Sequence, residues 1–253
     1  SEMCIRDRYN VGFGDCFCLR DRKKSLLVDF GTNNSRIEGR PRREIFDVII
    51  SDLSTIKSKN LLLTHFHMDH LSGLLYMMKK KDISVDFGKI YLPDVFSKKE
   101  MSRTLVLLLL ADLLKESGLP SRQVSLFALV DALLENKQNV ELLSRGKLFE
   151  NKYQALWPDT DVIRKETDEV YNRICEDGKF KEVMDVLLEF AEKLRLIVWS
   201  MTAEGNKPAE TVEKETDLTA SELTEQPEVR QKIIRAYVYE REFRRIKALP
   251  DLK

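Results

Sequence analysis

The chain has 253 residues, enough to bury a core as one large domain or two small ones, and its 43% apolar and 33% charged residues exclude a disordered protein. Its 42 basic and 42 acidic residues cancel, which removes any bulk electrostatic argument for nucleic acid or an anionic membrane as partner. The longest apolar run, Leu105 to Ala111 with Leu113 and Leu114 beyond Asp112, is far short of the roughly 20 residues that span a bilayer, so it reads as a buried helix.

Met3-Cys4-Ile5-Arg6-Asp7-Arg8 resembles the translation of a sequencing-library adapter, and residues 1–8 are set aside from the fold argument as non-native. Tyr9 to Arg20 then reads as a strand broken by the glycine turn Val11-Gly12-Phe13-Gly14-Asp15, and Ser25 to Phe30 as a second strand. Both are apolar on both faces, which suits a strand between two layers. Gly31 to Arg43 is loop. Arg43 to Lys57 has helical spacing at Ile45, Val48, Ile49 and Leu53. Asn60 to Thr64 is a short apolar strand, followed by a His-rich loop and an amphipathic helix over Leu71 to Lys81.

Lys89 to Leu92 is a further strand, closed by Pro93. Glu100 to Ser117 and Ser121 to Asn136 read as helices separated by Gly118-Leu119-Pro120, and Val140 to Trp157 as a hairpin around Ser144-Arg145-Gly146-Lys147. Asp161 to Glu176 and Phe180 to Met201 are helical. Residues 203–228 are a polar linker, and Pro227 opens a last charged helix to about Lys247. Leu249 to Lys253 looks like a connection to something further on. No internal repeat is visible, and no signal peptide.

Two features outside the strands and helices have bland readings. The basic runs Arg36, Arg40, Arg42, Arg43 and Lys79, Lys80, Lys81 read as solvated faces before they read as phosphate-contacting patches. Cys16 and Cys18 share a strand face, with Cys175 far away. They are expected to be reduced, buried thiols of a cytoplasmic protein, since a Cys-x-Cys metal site would lack partner ligands nearby.

The chemistry is concentrated in Thr64-His65-Phe66-His67-Met68-Asp69-His70, which contains all three histidines of the chain. At the end of an extended segment His65 and His67 project to one side and can share one ion, while Asp69 and His70 can serve a second position. Paired ions of this kind lie about 3.5–4 Å apart and hold a bridging water. Binding lowers the pKa of that water from about 15.7 toward 7. Nitrogen and carboxylate donors suit Zn²⁺, with Mn²⁺ or Fe²⁺ as alternatives.

This motif resembles the His-x-His-x-Asp-His signature of the metallo-β-lactamase superfamily, and its place between a buried strand and a helix agrees. Val11-Gly12-Phe13-Gly14-Asp15-Cys16 resembles a turn of the subgroup related to DNA-uptake competence proteins. Leu27-Val28-Asp29-Phe30-Gly31 resembles the family's first motif. The resemblance implies His65, His67, Asp69 and His70 as ligands of two zinc ions and Asp69 as a catalytic group. It also implies Asp29 as a brace behind the loop and Asp15 as a turn residue. The implied fold is an αββα sandwich of the α/β class, here its N-terminal half over residues 9–160, with a mostly helical insertion or extension over 161–253. The implied activity is hydrolysis by a metal-bound hydroxide, on a small-molecule or nucleic-acid phosphodiester, with no membrane association; the sequence sets no oligomeric state.

The family completes its site with later histidines and an aspartate, and no histidine follows His70. Truncation before the second half is the favoured explanation, ahead of a degenerate scaffold that binds a protein partner. Substitution by carboxylates such as Asp94, Asp159 or Asp161 is the third.

Overall fold

The computed structural model describes residues 5–20, 24–80, 86–116, 125–176 and 178–203. The polar linker and final helix expected after residue 203 lie outside these. The contacts divide the chain into two units that interleave along the sequence: Ser1–Pro93 with Ser125–Leu143, and Asp94–Val124 with Ser144–Lys253. The helix over residues 102–116 packs with the later helices of the second unit.

The first unit is built on one six-stranded sheet in the order β1-β2-β3-β6-β7-β8. Its strands are β1 (Ile5–Arg8), β2 (Phe17–Arg20), β3 (Ser25–Val28), β6 (Lys59–Leu62), β7 (Ile90–Pro93) and β8 (Val140–Leu143). The edge strand β1 falls in the segment set aside from the sequence reading, and pairs antiparallel with β2. Strand β2 pairs antiparallel with β3, while β3, β6, β7 and β8 run parallel. Parallel neighbours need crossovers. Helix α1 (Arg42–Ser54) supplies the first and α2 (Met68–Met78) the second. Helix α4 (Ser125–Glu135) precedes β8, and α2 packs against both α1 and α4. A small ribbon of β4 (Arg36–Ile37) and β5 (Arg40–Pro41) leads into α1.

The core explains why these segments take these forms. Leu27 and Leu61 of the central strands are fully buried, as are Phe46, Ile49, Ile50 and Leu53 along α1. Phe30 is buried just after β3, edge-on to Phe46 at 5.3 Å. This is the mixed α/β architecture expected from the resemblance; among the described residues it supplies one large sheet of the sandwich, beside two two-stranded ribbons.

Strand β8 departs from the sequence reading. The expected hairpin over 140–157 does not form, because Val140–Leu143 joins the main sheet parallel to β7. Val140, Leu142 and Leu143 are buried, so the sheet removes more apolar surface from water than a local hairpin would. A shorter hairpin forms instead between β9 (Leu148–Phe149) and β10 (Tyr153–Gln154) in the second unit. Its turn uses Glu150 and Asn151, both at positive φ.

The second unit is helical: α3 (Ser102–Glu116), α5 (Thr160–Glu176) and α6 (Gly178–Ser200) pack on one another. Leu105, Val106 and Leu109 of α3 are buried, as are Met184, Leu187, Phe190, Leu194 and Val198 of α6. The helical spacing of these residues is the expected signal. Arg103 on α3 reaches Asp168 at 2.9 Å and lies over the Tyr171 ring. Among the described residues no helix is long and apolar enough to cross a membrane.

Candidate metal centre

The centre lies at the C-terminal ends of two neighbouring parallel strands, the place where α/β sheets commonly carry their ligands. Strand β3 ends at Val28 opposite Leu62 at the end of β6. The next residues, Asp29 on one chain segment and Leu63-Thr64 on the other, are thereby brought side by side. Asp29 donates its N–H to the Leu62 carbonyl at 2.8 Å. It sits at φ +55°, a left-handed backbone that aspartate tolerates better than most residues but that costs energy.

That backbone aims a buried carboxylate, 3% exposed, at the histidine loop. One oxygen of Asp29 accepts the Thr64 N–H at 2.8 Å. The other accepts the Thr64 hydroxyl at 2.7 Å and faces His70 Nδ1 at 2.9 Å. Three donors thus converge on one carboxylate if His70 carries its proton on Nδ1, which is the only arrangement that makes that contact a bond. His70 Nε2 is then left as a lone pair, 3.6 Å from the Asp69 carboxylate. The same logic runs one step further. The Thr64 hydroxyl proton is committed to Asp29, so His65 Nδ1 at 3.1 Å must be the donor to the Thr64 oxygen. His65 also presents Nε2. A carboxylate behind a metal-ligating imidazole is how proteins fix the tautomer and aim the ring.

Helix α2 begins at Met68, three residues earlier than its apolar spacing indicates, so Asp69 and His70 occupy its first turn. Asp69 suits that place, because the helix N-terminus favours negative charge. His67 is the residue that precedes the helix, in extended conformation. Strand β6 has already ended at Leu62, so His65 and His67 do not share a strand. Their rings are still neighbours, 4.9 Å apart and edge to face.

The ligand atoms of His65, Asp69 and His70 all lie within 4.8 Å of one another. The structure therefore groups His65 with Asp69 and His70, where the spacing paired it with His67. The His65 and His70 rings are 3.6 Å apart, and burial, followed by the neighbouring His70 and His67, lowers the pKa of His65. A neutral imidazole with a free nitrogen is the form that binds a metal. The donor set of two imidazole nitrogens and a carboxylate fits Zn²⁺, and also Mn²⁺ or Fe²⁺.

The loop is clamped by backbone that comes too close for side chains. Phe30 donates its N–H to the His70 carbonyl at 2.7 Å, and the Phe30 carbonyl accepts from Gly73 and Leu74. Asp15 donates its N–H to the Asp69 carbonyl at 3.3 Å. A Cβ at Gly31 would meet the Asp69 carbonyl oxygen at 2.7 Å, and one at Gly14 would meet it at 2.8 Å. Both glycines are there because nothing larger fits.

Sequence reasoning gave no role to Thr64, which hydrogen-bonds both Asp29 and His65. Asp15, expected as a turn residue with its further role open, has its carboxylate 3.8 Å from His70 Nδ1. The carboxylates considered as substitutes are engaged elsewhere. Asp94 accepts from the Ser97 N–H and hydroxyl, and Asp159 pairs with Arg145 at 3.0 Å. Neither they nor Asp161 nor any cysteine belongs to a ligand cluster among the described residues. Burial pushes the Cys16 thiol pKa well up, which keeps it protonated and inert.

With this geometry in view, two comparisons bear on the centre. Endoribonuclease YSH1 of Mycosarcoma maydis is 32% identical over 77 residues, which are 30% of this chain and 8% of that protein. The chain thus spans a small part of that relative's length. Residues 9–94, which hold Asp15, Asp29 and the whole His65–His70 loop, match the Metallo-beta-lactamase superfamily.

Proposed function

We propose that this domain is a metal-dependent hydrolase of ester-like bonds, with phosphodiesters as the favoured class. The observation that carries the reading is the convergence of His65, Asp69 and His70 in front of the buried Asp29. A divalent ion held there would supply Lewis acidity and an activated water at neutral pH. His65 and His70 would hold it, each through the nitrogen left free when Thr64 and Asp29 fix their rings. His67, exposed and with its ring 4.9 Å from that of His65, would be a further ligand. Asp69, only partly exposed, would be a ligand and the carboxylate placed to accept a proton from an activated water.

The phosphodiester class rests on the relative's being an endoribonuclease and on the competence-type turn at Val11 to Asp15. Zinc is the favoured ion, two per complete centre.

A second reading follows from one fact, that no histidine lies after His70. On that reading the fold is kept as a scaffold and the helical unit binds a protein. A chromogenic phosphodiester, bis(p-nitrophenyl) phosphate, separates the two. The hydrolase reading expects turnover with Zn²⁺ or Mn²⁺ that EDTA abolishes and that Asp69→Ala lowers at least a hundredfold. Turnover equal in wild type and Asp69→Ala would leave the scaffold.

A further inference from the structure

Beside the metal loop the chain builds an edge that the catalytic reading does not use. Phe13, in the turn that carries Gly14 and Asp15, is 74% exposed. Single exposed apolar residues are common and need no explanation. Phe13 differs because its backbone is held on both sides. Its N–H donates to Asn34 Oδ1 at 3.2 Å, and its carbonyl accepts from Asn33 N–H at 2.9 Å and the Thr32 hydroxyl at 3.2 Å. An aromatic ring is thus presented to solvent on a fixed platform. Two residues on, the Asp15 N–H bonds the Asp69 carbonyl, so the platform adjoins the candidate centre.

The turn that holds Phe13 packs against Asn33 and Asn34, which lead along the chain into the basic ribbon. Gly12 lies against Asn34 and Ile37, and the Ser35 carbonyl accepts the Arg42 N–H at 3.0 Å. Residues 33–44 carry four arginines against two glutamates, in a chain whose net charge is zero. Arg40 pairs with Glu44 at 3.6 Å, and Glu38 bonds Asn10. Arg36, Arg42 and Arg43 are exposed and have no carboxylate partner among the described residues. Arg42 and Arg43 also occupy the first turn of α1, where the helix dipole disfavours cations. Folding gives no reason for them. Residues that break a local rule without a structural gain point to function.

We propose that this edge docks a single-stranded nucleic acid, with Phe13 stacking on a base and Arg36, Arg42 and Arg43 contacting phosphates. An aromatic platform beside a basic track is the combination that single strands require and that a duplex, with its bases already stacked, cannot use. The inference rests on the phosphodiester reading of the adjoining centre and names the polymer it takes.

Fluorescence anisotropy of a labelled twelve-nucleotide oligouridylate with the full chain, in EDTA so that no cleavage occurs, tests it. Phe13→Ala should weaken binding about tenfold, and Phe13→Trp should restore it. Reversing Arg36, Arg42 and Arg43 to Glu should abolish most binding. Reversing Arg36 alone should lower the slope of log affinity against log salt by about 0.7, and it serves if the triple variant does not fold. Because the titration is run in EDTA it does not depend on metal, so a failed metal reading would leave this result standing and the two failures are told apart. The proposal falls if wild type does not bind the oligonucleotide, if Phe13→Ala or the arginine reversals bind unchanged, or if duplex RNA of the same length binds equally well.

Discussion

The two units of this chain put their irregularities in different places. In the sheet unit, strain and close approach gather around one carboxylate: Asp29 at positive φ, Gly14 and Gly31 against the Asp69 carbonyl, and three donors on the Asp29 oxygens. In the helical unit the positive-φ residues Glu150 and Asn151 sit in a hairpin turn, and the helices follow local rules. Its helices bury regular apolar stripes, and its charged pairs, such as Arg103 with Asp168 and Lys193 with Glu189, lie at the surface or partly so. Concentrated rule-breaking marks a site, and regular packing marks a scaffold.

If that contrast is right, stability and metal binding should separate by unit. The largest stability loss is expected from Phe190→Ala, which empties a fully buried position of α6. It should cost about 3–5 kcal/mol in urea unfolding. The folded fraction should bind zinc with unchanged affinity, and a parallel loss of zinc would break the contrast. Asp29→Ala is next, at about 3 kcal/mol, because it strands the Thr64 N–H and the His70 ring donor without a partner. Here zinc affinity should fall about 10- to 100-fold as well, since the backing carboxylate is gone.

Gly31→Ala sharpens the comparison further. Its Cβ would sit 2.6 Å from Leu71 N, so backbone must move at about 1–3 kcal/mol. Titration with zinc should show weaker binding although no ligand is altered. The smallest effect belongs to Lys193→Ala on α6. Its exposed pair with Glu189 is worth about 0.3–0.5 kcal/mol, and neither unit should show a change in zinc binding.

How much of this was legible in the sequence depended on how local the signal was. The His65–His70 loop could be read because its donors lie within six residues, and the helices of the second unit because their apolar spacing is regular. The start of α2 was misplaced because Asp69 and His70 look like loop residues, whereas the first turn of a helix welcomes such groups. Val140–Leu143 was assigned to a hairpin because nothing in its own sequence reveals a parallel partner about 50 residues upstream. Thr64 and Asp15 were invisible as site residues for the same reason. Their partners, Asp29 and His70, are brought to them by the register of β3 with β6 and by the turn at Gly14.

The central claim is that His65, Asp69 and His70 form one donor set. Metal analysis of the purified chain, equilibrated with Zn²⁺ and then exchanged into metal-free buffer, tests it most directly. Wild type should retain zinc in a fixed ratio to protein, with Asp69→Ala and His70→Ala each lowering it severely and Asp94→Ala leaving it intact. Zinc no higher in wild type than in a denatured control, or equal in all four proteins, would contradict the account.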